Sequence, residues 1–172
     1  MHSNQDRAFG FALLDGRNCD VLLEPSKFCV TFDMLQRFKG VALLDASKLE
    51  ELTEEDAKKI YMQQLWQPLS CDYIPSGLDY FVFVCGLYSY SDTVIRWLQY
   101  SVGLAQTGLL DSETLSAVQK QSPHDLIVTL ERLLRRRLRT HWKWNELNQV
   151  WTNYVNSAKH RALVLLETAN AD

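Results

Sequence analysis

The stretch "IPSGLDYFVFVCGLY" (74–88) constrains this chain more than any other. From Leu78 onward it is apolar nearly all round, with Pro75 and Gly77 before it and the polar "SYSD" close behind. A helix with one apolar stripe can lie on a surface, whereas one that is apolar on every face has to be enclosed. The run is too short and too polar to span a bilayer. It predicts a central buried helix starting near Pro75, with amphipathic helices arranged around it.

Those helices are legible on both sides. "TFDMLQRF" (31–38) spaces Phe32, Leu35 and Phe38 one turn apart. "LTEEDAKKIYMQQLW" offers Thr53 as N-cap, acids in the first turn and lysines after them, and Pro68 then stops it. "SDTVIRWLQYSVG" places Val94, Ile95, Leu98 and Val102 at helical spacing, with a Ser cap before them and Gly103 as stop. A helix follows from near Asp111 or Ser112. "SPHDLIVTLERLLRRRLRTHW" opens with Ser122 as cap and Pro123 at the first helical position, and holds Leu126, Leu130, Leu133, Leu134 and Leu138 in one stripe. A last helix is predicted from about Asn145 to Glu167, carrying Leu147, Val150, Trp151, Tyr154 and Val155 toward the core. Only residues 15–30 lack helix signals, and an irregular segment on a rigid scaffold is where a site belongs. The expectation is an all-α protein.

With 172 residues, 47% of them apolar and 23% charged, the chain has material for one domain with a small appended subdomain. A net charge of -3 gives no global reason to bind nucleic acid. Cys19, Cys29, Cys71 and Cys85 lack metal-ligand spacing, and His2, His124, His141 and His160 are scattered, so no metal and no cofactor is expected. The start, "MHSNQDRAFGFALL", has neither a basic n-region nor a sufficient apolar run for a signal peptide. The expectation is a protein made in the cytoplasm with reduced thiols and no transmembrane segment. Its export, to the periplasm or beyond, would need a holin or a dedicated secretion route.

Several phrases together resemble the phage- and prophage-type N-acetylmuramidases of glycoside hydrolase family 108. "LTEEDAKKIYMQQLWQPLSCDYIPSGLDYFVF" is similar to that family's "A-x-x-I-Y-x-x-x-Y-W-x-P" helix end followed by "L-P-x-G-L", through Ala57, Ile60, Tyr61, Trp66, Pro68, Pro75, Gly77 and Leu78. "VIRWLQYSVGLAQTGLLDSETLSAVQ" resembles its C-terminal peptidoglycan-binding-type subdomain at Trp97, Leu98, Gln99, Gly103, Thr114 and Leu115. "QVWTNYV" resembles its late "G-W-x-x-R-V" element. The resemblance implies a lysozyme-like helical bundle over 1–90, a small helical subdomain over 91–172, and peptidoglycan as the family's substrate.

It also marks where this chain departs from the family. The family's acid is the Glu of an "E-G-G" motif ending the first helix, followed by a glycine-rich loop and "G-I-T". Here Asp15 and Gly16 stand at the Glu-Gly positions, the Gly-Gly pair of the loop is gone, and Cys29 replaces the Gly before Val30, while Thr31 is kept. In the family's "F-D-F-A-V-N-S-G", Val84 takes the Asp position and Tyr88 the Asn position. Tyr154 takes the Arg position of the late motif. Glycoside hydrolysis needs a proton-donating carboxyl and a second group to manage the developing positive charge or the water. Misplacing such a group by about 1 Å can cost around 10²-fold in rate.

The candidate residues are therefore Asp15, Glu24 and Thr31 for residual catalysis. Trp66, Tyr88, Tyr90 and Tyr154 are candidates for a substrate or partner surface, with Tyr88 and Tyr90 the most exposed. Arg132, Arg135, Arg136 and Arg139 cluster opposite the leucine stripe; such a run is usually a solvated face, and as a binding face it would suit an acidic protein partner or the carboxylates of peptide stems better than nucleic acid. Three functions stay open. The leading one is a degenerate, muramidase-type domain that binds peptidoglycan glycan or a protein without hydrolysis. The others are a divergent muramidase with Asp15 as acid, and a prophage or secretion-apparatus component using the fold as an interface.

Overall fold

The apolar run folds as α4 (Leu78–Tyr88), and all eleven of its residues are buried. The computed structural model describes residues 4–18, 26–41 and 45–171. Four helices enclose α4 within those residues: α1 (Asn4–Asn18), α5 (Ser91–Ser101), and the long pair α7 (Pro123–Arg139) and α8 (Trp144–Ala169), which also pack along each other. A short antiparallel hairpin, β1 (Ser26–Lys27) and β2 (Val30–Thr31), leads into α2 (Phe32–Lys39); α3 (Glu54–Tyr61) and α6 (Ser112–Lys120) complete the fold. The all-α expectation holds, with eight α-helices and this one hairpin among the described residues.

Local chemistry sets most boundaries. The side chains of Thr31, Thr53, Asp111 and Ser122 each accept from a backbone N–H in the first turn of α2, α3, α6 and α7. Pro123 occupies the first turn of α7. Past α3 the chain continues as one π-helical turn, Met62–Trp66, which delivers Trp66 into the interior. There Phe9, Tyr61, Trp66 and Phe83 form a ring cluster with centroids 5.3 to 6.1 Å apart.

Three boundaries differ from the sequence reading. Asp15 lies inside α1, which runs on to Asn18, and not in an irregular segment. α4 begins at Leu78 and not near Pro75, because Gly77 takes φ +86, which no helix accommodates. α5 is preceded by Tyr90 in extended conformation, so Ser91 is its first residue and not its cap.

Two tight features fix the scaffold. In the last turn of α5, Gln99 is buried; its amide donates to Thr107 Oγ1 (2.9 Å) and the Leu109 carbonyl (3.0 Å), while its Oε1 accepts from Gly108 N (3.0 Å). That explains why a Gln follows "WL" at this point. At the hairpin tip, Phe28 and Cys29 sit at φ +54 and +55, and the Tyr61 hydroxyl donates to the Phe28 carbonyl. Cys29, Cys71 and Cys85 are buried, and Cys19 lies outside the described residues. No helix among the described residues is long and apolar enough to cross a membrane.

A Cβ on Gly77 would meet the Ala162 carbonyl oxygen at 2.3 Å and Leu166 N at 2.8 Å, so the start of α4 rests on α8 backbone that has nowhere to go. Gly77→Ala is expected to destabilise the fold by about 3 kcal/mol or more, read from urea unfolding. Asp79, buried beside it, accepts from Gly77 N (2.8 Å) and Tyr80 N (2.6 Å), yet burial pushes its carboxyl up to about 6. A folded-state value raised from 3.8 favours the native state below about pH 4, and that advantage is lost as pH rises toward 6. Asp79→Asn keeps an acceptor and removes the ionisation. The variant should match the parent at pH 4 and exceed it by on the order of 3 kcal/mol above pH 6, read from melting curves across that range.

Candidate functional site

The positions at which this chain departs from the muramidase pattern converge in one place, where α1, α4 and α8 meet beside the hairpin. On α4, Tyr80, Val84 and Tyr88 are spaced four apart and so share one face. On α8, Tyr154, Ala158 and Arg161 follow the same inward stripe. On α1, Phe11 and Asp15 stand one turn apart. Tyr88 and Tyr154 pack ring against ring at 5.5 Å. Asp15, Cys29, Tyr80 and Tyr88 all lie close enough to Tyr154 to act on its hydroxyl, which burial drives well above the ordinary tyrosine range.

Asp15 is the only carboxylate among them, and both its oxygens are taken. Arg161 Nη1 donates to Oδ2 at 2.7 Å and Nη2 to Oδ1 at 3.1 Å, a bidentate pair whose side chains are 28% and 15% exposed for Arg161 and Asp15. The guanidinium also lies over the Phe11 ring, 4.8 Å from its centroid. Asp15 sits in the last turn of α1, where the helix end carries partial negative charge. Arg161 supplies the compensating charge. Its own pKa is raised further by Asp15 and Tyr80, against the opposing effect of burial. The Tyr80 hydroxyl faces the same guanidinium outside ordinary hydrogen-bond geometry, and burial pushes it up to about 12. A carboxylate held this way accepts two hydrogen bonds and presents no oxygen to a leaving group.

The remaining candidates fall in different surroundings. Thr31 caps α2, its Oγ1 accepting from Met34 N at 3.2 Å. Glu24 lies outside the described residues. Trp66 is corrected from surface to core: it is buried, and its indole N–H donates to Asp72 Oδ1 at 2.8 Å, because the π-helical turn rotates it inward. Tyr88 and Tyr154 are likewise buried and not exposed, since each is enclosed by the other and by neighbouring helices. Tyr90, just past the end of α4, is 62% exposed, with the Arg37 guanidinium 5.6 Å from its ring.

The arginines of α7 do not act as one face. Arg135 bonds Glu131 and Asn156, and Glu131 also pairs with Lys159 of α8 at 2.7 Å, so this arginine staples the two long helices. Arg132 and Arg139 line one shallow groove with it, whereas Arg136 lines another with Arg137. Sequence reasoning missed Arg161, Tyr80 and Phe11. The available signal was Arg161 itself, a charge on the buried stripe of α8 between Ala158 and Leu165.

Residues 24–88 match the family described as Glycosyl hydrolase 108. The solved structure described as "Structure of Brucella abortus SagA" superposes with a TM-score of 0.83 at 23% sequence identity, covering 94% of this chain and 95% of that one. At that identity the likeness speaks for the fold alone. No curated protein matches the chain. Residues 24–88 are thus similar to glycosyl hydrolase 108, as the motifs implied, and the chain has the mainly helical fold of that solved structure.

The Asp15–Arg161 pair is testable as a coupled unit. Asp15→Ala and Arg161→Met should each cost about 2 kcal/mol, since each leaves a half-buried charge alone, and the double variant should lose clearly less than the sum. Strict additivity in urea denaturation would mean the two side chains do not interact.

Proposed function

We propose that this chain is a muramidase-type, peptidoglycan-related domain that no longer hydrolyses glycan and works by binding. One observation carries the reading: the side chain at the acid position, Asp15, has both oxygens bound to Arg161. A general acid needs a protonated oxygen aimed at the leaving group. Here both oxygens are engaged by one guanidinium. The substitutions around it point the same way. Val84, Tyr88 and Tyr154 fill with buried apolar and aromatic bulk the positions where the family pattern has Asp, Asn and Arg. Preorganised dipoles supply much of an enzyme's acceleration, and these replacements remove them together.

A divergent muramidase with Asp15 as acid is the reading this one displaces. Turbidity and zymogram assays on purified peptidoglycan decide between them. The folded protein should leave peptidoglycan intact after prolonged incubation, and Arg161→Met should not release activity. Robust lysis abolished by Asp15→Ala would establish the enzyme instead. Recovery on insoluble peptidoglycan, set against recovery with host proteins, then separates a glycan binder from a prophage or secretion-apparatus component that uses the fold as an interface.

A further inference from the structure

A groove of about 550 Å³ runs between α5 and α7, and none of the residues gathered around Asp15 lines it. Its apolar lining is Trp97 and Leu133, its lip is Tyr100 at 49% exposure, and its rim is Arg136 and Arg137. A second, smaller groove of about 110 Å³ runs from Thr31 to Tyr90 and Arg37. Arg137 lines both.

Among the residues lining the first groove, the furrow between α5 and α7, the only charged ones are Arg136 and Arg137, which make no ion pair among the described residues; in the second groove Arg37 pairs at 2.7 Å with Asp33, which also lines it. Unpaired arginines beside Trp and Tyr are the composition of an interface centre and not of an ordinary solvated face, which would favour Lys and Glu. We propose that this furrow is the docking surface for an acidic segment of a partner protein, with a carboxylate at Arg136 and Arg137 and an apolar side chain over Trp97 and Leu133. Two features favour that occupant. A concave site with an apolar floor admits a side chain, whereas a flat anionic bilayer would meet only its rim. The chain's net charge of -3 gives a long polyanion no long-range attraction, while a short acidic segment senses the local arginines within a Debye length of roughly 8 Å. The inference rests on the reading of the chain as a binding domain and supplies its partner class.

The test uses the full chain and a fluorescein-labelled synthetic peptide of alternating glutamates and leucines, followed by anisotropy. Saturable binding that weakens with added salt is expected. Arg136→Glu with Arg137→Glu should weaken it about tenfold or more, whereas Arg132→Glu with Arg139→Glu, which face the other groove of α7, should change it less than about threefold. Circular dichroism checks that both pairs remain folded. Amide chemical-shift mapping on the unsubstituted protein reads the site without any substitution, and shifts should cluster in Thr93–Tyr100 and Leu133–Thr140. Absence of saturable binding, equal loss in both pairs, shifts elsewhere, or stronger binding to phosphatidylglycerol vesicles or to insoluble peptidoglycan than to the peptide would each overturn the proposal. Lysis of peptidoglycan would instead remove the non-hydrolytic reading, and does not enter this titration.

Discussion

Enclosure of α4 is the constraint on which the other elements depend. Its residues are buried on every side, so the chain has to bring α1, α5, α7 and α8 against it, and each contact sets something else in place. Contact with α8 runs through Gly77, where the two backbones nearly touch, and this fixes the height of α8 along α4. With that height fixed, Tyr154 meets Tyr88 and Arg161 reaches across to Asp15 on α1. A polar pair joining the first and last helices is thus a consequence of how one apolar helix is housed.

The same arrangement accounts for the character of the site. A cleft that handles sugar needs polar groups held at fixed geometry and open to a channel. In the non-hydrolytic reading proposed above, the matching positions hold a valine, two tyrosines packed on each other, and a carboxylate tied to a guanidinium. The surface that stays open lies elsewhere, along α5 and α7, where arginine and aromatic side chains are exposed.

Much of the scaffold was legible in the chain because capping is local chemistry. Thr53 and Ser122 announce helix starts through hydrogen bonds that reach only three residues, Pro123 through its fixed φ, and the structure has them where the letters indicate. Inward or outward orientation of an aromatic is a different matter. Trp66 and Tyr88 stand at helix ends, where a π-helical turn or the approach of a distant helix decides their exposure, and neither is a local property. Arg161 was missed for the same reason, since its partner is 146 residues away in sequence. Asp15 could be picked out by position, but what it does depended on that distant arginine.

The hairpin tip adds a last point about how such a chain changes. Phe28 and Cys29 hold a left-handed bend that disfavours side chains by roughly 1–2 kcal/mol each. The bend persists because the Tyr61 hydroxyl grips the Phe28 carbonyl and the Cys29 thiol is buried. Where the related motif has glycine, the loop's shape comes free; here it is held from outside by the neighbouring helix. The bend therefore depends on α3, and the loop and that helix stand or melt together.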